Sequence, residues 1–88
     1  MKKIINVTEV SGEGLEALLG ETVILLCANY FYTGVLEGVN TDTVLLRDPS
    51  IVYETGKWDA PKWTDAQRLH VDKLYVRIAA IESFGAGK

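Results

Sequence analysis

The sequence predicts a mainly β domain, in which a short N-terminal helix precedes five strands bent into a small antiparallel barrel. Three observations carry that expectation. From Glu21 onward apolar residues recur with a period of two, in runs of strand length. The runs are separated by brief polar turns such as Asn29-Tyr30 and Asn40-Thr41-Asp42. Ahead of them a single triad, Leu15, Leu18 and Leu19, has the i, i+3, i+4 spacing of one helical face. With 88 residues, 48% hydrophobic and 24% charged, the chain has the length of one domain and the composition of a folded one.

The elements follow in order. Ile4 to Val10 is β-branched and reads as a short strand or an extended lead-in. Ser11 suits a helix N-cap, Glu13 and Glu16 suit the positive end of the helix dipole, and Gly20 suits the position just past its end. Such a helix is about two turns long, too short to stand without tertiary packing. Thr22 to Ala28 reads as the first strand and Phe31 to Val39 as the second, with Gly34 marking a bulge or a close backbone approach. Thr43 to Arg47 begins a third strand, interrupted by Asp48-Pro49-Ser50 and resumed over Ile51 to Glu54. A polar hairpin tip, Thr55 to Asp65, leads to a long fourth strand, Arg68 to Ile78, and a short fifth, Ala79 to Phe84. The glycine-rich tail, Gly85 to Lys88, reads as frayed.

Val23-Ile24-Leu25-Leu26 is apolar on both strand faces. One face fills a barrel and the helix covers part of the other; the surplus favours a partner subunit. Open edge strands ask for the same remedy.

The net charge is −3, but it is uneven: residues 1–56 carry −5 and residues 57–88 carry +2. A non-specific nucleic-acid binder would show a basic excess, so a polyanion contact is expected only from the second half or from a local patch. Cys27 is the only cysteine and lies in an apolar run, which reads as a buried thiol and excludes an intrachain disulfide. Lys2 and Lys3 precede an apolar stretch too short for a secretory signal, and no segment approaches membrane-spanning length. A reducing, cytoplasmic setting is expected.

Catalytic chemistry finds no footing. His70 is the only histidine and sits in a strand between Leu69 and Val71, so no zinc spacing exists. The carboxylates form no acid–base pair, and no phosphate-cradling glycine pattern appears. The expectation is a protein that is not an enzyme and needs no cofactor, metal or small-molecule substrate.

The order of elements is the informative feature. A helix ending in Leu18-Leu19-Gly20 leads to the apolar first strand and to Tyr30-Phe31-Tyr32-Thr33-Gly34-Val35-Leu36. After a polar turn comes Thr43-Val44-Leu45-Leu46-Arg47-Asp48, and the chain closes with Tyr75-Val76-Arg77-Ile78-Ala79-Ala80-Ile81. Over residues 13–84 this resembles the Sm and Sm-like family, whose helix and five-stranded SH3-like barrel carry two motifs flanking a variable hairpin. Gly20, Val23, Leu25, Tyr32, Gly34 and Leu36 match the spacing of the first motif.

The resemblance implies a homo-oligomeric ring, on the order of five to seven subunits, with the fourth strand of one subunit paired to the fifth of the next. Its seam would fall in Leu69 to Ile81. It also implies single-stranded, U- or A-rich RNA bound near the pore, at Asn40, Asp42, Thr43, Arg77 and Ile78. This sequence departs from the pattern there. Asn40 stands where the family has aspartate, Thr43 and Val44 replace a stacking side chain and an asparagine, and Ile78 replaces the glycine after Arg77. A ring that keeps the fold as a structural or adaptor assembly, without RNA, is therefore the second expectation.

The hairpin insertion, about residues 55–67, is the least family-like segment. Lys57, Trp58, Lys62 and Trp63 surround Pro61 there. They read either as an aromatic and basic partner surface or as a tip folded back on its own barrel or on a neighbour.

Overall fold

The computed structural model describes residues 12–88, so Ser11 and the lead-in Ile4 to Val10 lie outside the described residues. Within them the chain is mainly β. Its strands are β1 Thr22–Cys27, β2 Phe31–Val39, β3 Thr43–Glu54, β4 Asp65–Arg68, β5 Lys73–Arg77 and β6 Ile81–Ala86. They form one antiparallel six-stranded sheet in the order β4–β3–β2–β1–β6, with β5 also paired to β3. No described helix is long and apolar enough to cross a membrane.

The core lies on one face of the central strands. Val23, Leu25 and Cys27 of β1 alternate inward and meet Leu36, Val44, Leu46 and Val76. The opposite face has its own apolar group: the register sets Ile24 beside Thr33 and Phe31 beside Val52. Thr33 is buried there with its hydroxyl satisfied, donating to the Val23 carbonyl at 2.8 Å.

The predicted helix forms only as a 3₁₀ turn, Leu15–Leu18. Gly14 ahead of it has φ 91° and Gly20 beyond it φ 85°, so the backbone leaves the helical region on both sides. Main-chain bonds then capture the exit: the Gly20 amide donates to the Leu36 carbonyl and the Leu36 amide to the Glu21 carbonyl. Tertiary pairing with β2 thus takes the groups that a second helical turn would need. Leu15 and Leu18 pack against the core as their spacing predicts, but Leu19 is 47% exposed.

Six strands form, not five, because the expected fourth strand, Arg68 to Ile78, is divided. β3 is continuous, yet it bends at Asp48, which has φ 52°, and the next residue, Pro49, has no amide to donate. The partner strand detours over Leu69 to Asp72. The Leu69 amide reaches the Pro49 carbonyl at 2.9 Å and the Asp48 amide the Asp72 carbonyl at 3.0 Å. The strand also stops early, because Ile78–Ala80 turn as a 3₁₀ segment before β6. β6 in turn runs to Ala86, so the tail expected to fray is partly strand. The Gly87 amide donates to the Thr22 carbonyl at 2.8 Å, and a Cβ at Gly87 would lie 2.9 Å from the backbone of Val23.

Gly34 marks the close approach its position predicts. A Cβ there would lie 3.0 Å from the Arg47 carbonyl oxygen and 3.3 Å from Pro49 Cα, and the β2–β3 register shifts beside it.

Candidate functional site

The two segments expected to carry binding chemistry come together at one end of the sheet. The β2–β3 turn is closed by the Asn40 amide, which donates to the Thr43 carbonyl at 2.8 Å. β5 runs antiparallel to the start of β3 with Thr43 opposite Arg77, and the Ile78 amide donates to the Asp42 carbonyl at 2.8 Å. Asp42, Thr43, Arg77 and Ile78 are thereby one contiguous patch, with Asn40 at its rim. Asn40, Asp42 and Arg77 are exposed, Thr43 and Ile78 half-buried.

Each side chain there has a distinct chemical capacity. Arg77 offers a guanidinium that forms no ion pair among the described residues. Asn40, Asp42 and Thr43 offer hydrogen-bonding groups, whereas Ile78 packs against the core. Val44 is fully buried opposite Val76. The patch can hold a polar or anionic ligand by hydrogen bonds, but none of its five side chains, Asn40, Asp42, Thr43, Arg77 and Ile78, is an aromatic ring on which a base could stack.

The hairpin residues gather elsewhere. Trp58 and Trp63 meet edge-to-face at 5.5 Å, and Trp58 lies 6.4 Å from Phe31, so the tip folds over the sheet face that carries Ile24, Thr33 and Val52. Lys88 Nζ sits 4.2 Å above the Trp63 ring and donates to the Lys57 carbonyl at 3.2 Å. Trp63 Nε1 is buried without a hydrogen-bond partner among the described residues. Trp58 remains 56% exposed, and Lys57 and Lys62 are exposed beside it.

A third feature escaped sequence reasoning. A groove of about 390 Å³ opens between the β1–β2 turn, β5 and the start of β6, lined by Cys27, Asn29, Tyr30, Tyr32, Tyr75 and Glu82 among others. The sequence shows Tyr30 and Tyr32 in one segment, but only the fold brings Tyr75 and Glu82 to them. The Tyr30 and Tyr32 rings are 6.2 Å apart and tilted by 55°. Burial, and secondarily the Glu82 carboxylate, push the Cys27 thiol pKa up. Burial also raises that of Tyr32, with smaller contributions from Cys27, Tyr30 and Tyr53.

His70 is exposed in the Leu69 to Asp72 detour. Among the described residues no three histidine, cysteine or acidic side chains converge as a metal site would require. No protein-family model matches the chain, and no curated protein matches it.

Proposed function

We propose that the chain is an Sm-like barrel subunit that closes into a homo-oligomeric ring and binds single-stranded RNA, U- or A-rich, at the Asn40–Thr43 and Arg77–Ile78 patch. The observation that carries this reading is the pairing of Thr43 with Arg77, which joins segments more than thirty residues apart into one surface. The strand order supports the barrel: the last strand returns to the first, and the 3₁₀ turn Ile78–Ala80 carries the chain from β5 to β6. The outer edges of β5 and β6 have no strand partner among the described residues. Tyr75 and Phe84, one on each of those strands, are 63% and 42% exposed. A neighbour's β6 against this β5 would cover both edges and close by rotation.

The test has two arms. Light scattering on the purified chain should give a single closed oligomer at micromolar concentration; a stable monomer would overturn the ring. Labelled U- and A-rich oligonucleotides should bind that oligomer with an affinity that falls steeply with salt and is lost in Arg77→Ala.

A second reading, a structural or adaptor ring, is favoured by the same patch's lack of a stacking surface and by Asp42 beside Arg77. It predicts an intact ring with no RNA affinity at moderate salt.

A further inference from the structure

We propose that the groove between the β1–β2 turn, β5 and β6 is a binding site for the guanidinium of an arginine side chain supplied by a partner polypeptide.

The lining sets the chemistry of the ligand. Three tyrosines, Tyr30, Tyr32 and Tyr75, face a groove whose only charged lining residue among those described is Glu82. Aromatic faces attract cations through their negative quadrupole, and a carboxylate beside them completes a site for positive charge. Glu82 forms no ion pair among the described residues, and the Asn29 carboxamide and the three tyrosine hydroxyls have no hydrogen-bond partner there. The groove therefore holds acceptors that nothing in the described chain uses. An anionic ligand would meet Glu82 unfavourably, which sets this site apart from the Arg77 patch.

Shape narrows the ligand from cation to guanidinium. Tyr30 and Tyr32, tilted by 55°, make a corner, so a planar group lying on one ring presents its edge to the other. A guanidinium is planar, stacks on aromatic rings and directs five N–H donors outward in its own plane. An ammonium has neither the plane nor the fork. The volume, about 390 Å³, is at the small end for ligand pockets, suiting one long side chain better than a nucleotide or a bulky cofactor. The net charge of −3 adds a long-range attraction for a basic partner. This inference needs neither the ring nor the RNA reading.

The probe is the capped tripeptide acetyl-Gly-Arg-Gly-amide, titrated into the full chain while the tyrosine ring resonances are followed by NMR. Saturable shifts confined to Tyr30, Tyr32 and Tyr75 are expected. The citrulline counterpart, which has the same shape without the charge, and the lysine counterpart should each bind about tenfold more weakly or less. Glu82→Gln alters an exposed side chain, so it should keep the wild-type thermal midpoint while losing about tenfold in affinity. No saturable shift up to about 10 mM peptide, equal binding of the citrulline or lysine peptide, or wild-type affinity in Glu82→Gln would each overturn the proposal. An oligonucleotide that moved the same rings at lower concentration than the peptide would overturn it too.

Discussion

The amide of Ile78 donates to the carbonyl of Asp42 at 2.8 Å, just beyond the last residue pair of the β3–β5 ladder, Thr43 with Arg77. Two turns far apart in the chain are locked by main-chain groups, so side chains at Asp42, Thr43 and Arg77 can change without dismantling the patch. That makes the site separable from the fold by mutation.

Thr43→Phe exploits this separation. If RNA binds at the patch, the new ring supplies the missing stacking surface, and oligonucleotide affinity should rise about tenfold, equivalent to about 1.4 kcal/mol. Anisotropy titrations at fixed salt measure it. An unchanged affinity in a variant of unaltered thermal midpoint would count against RNA at this position.

Leu36→Ala should be the most damaging single change of the set. Leu36 is fully buried in the core cluster, and its neighbours are strand residues with little freedom to collapse. A loss of about 2–5 kcal/mol is expected from urea unfolding. Against the roughly 5–15 kcal/mol typical of whole domains, that is a sizeable share of the total stability.

Gly34→Ala should cost about 1–3 kcal/mol, because the added Cβ meets a main-chain oxygen at 3.0 Å and Pro49 Cα at 3.3 Å, neither of which swings aside. The same substitution at Gly85, where no atom of the described residues lies within 4 Å, is the control and should be nearly neutral.

Arg68→Ala should barely register in urea unfolding. Its ion pair with Asp48 is short, at 2.8 Å, but both side chains are more than half exposed, so about 0–1 kcal/mol is expected. Asp48→Gly loses the same pair but relieves a φ of 52°, so its stability should equal or exceed that of Arg68→Ala.

Alkaline pH should destabilise the fold through Cys27 and Tyr32. Both pKa values are raised in the folded state, chiefly by burial, from ordinary values of 9.0 and 10.0. The native state holds its protons where the unfolded chain has released them. Their contribution is therefore complete below pH 9.0 and is lost as pH rises through the folded values. Thermal midpoints should fall above that point, and Cys27→Ala should flatten the part of the decline that begins there.

The strands most legible in the sequence are those whose patterns owe least to distant residues. β2 occupies Phe31 to Val39 as predicted, since its period and both flanking turns are local signals. The N-terminal turn, by contrast, is shortened by Leu36, which no local pattern could reveal. Leu69 and Val71 continue an alternating pattern, so the sequence reads one strand from Arg68 to Ile78. The break comes from Asp48 and Pro49 on the neighbouring strand. Gly87 looks like loose tail by composition, yet its missing side chain is what lets the backbone lie against Val23. At the candidate patch, the Sm-like resemblance marks Asp42 and Arg77 in the sequence, but the tyrosine groove has no linear signature, because β5 and β6 supply its remaining walls.

The pairing of β6 with β1 has a consequence during synthesis. β1 emerges early from the ribosome, but its outer edge can be covered only after Ile81–Ala86 has been made. Until then Val23 to Leu26, paired to β2 on one side, keeps its other edge open to association with other nascent chains. Closing that long loop is an entropic cost met late, so folding should be slow for so small a chain and should finish cooperatively when the last strand arrives.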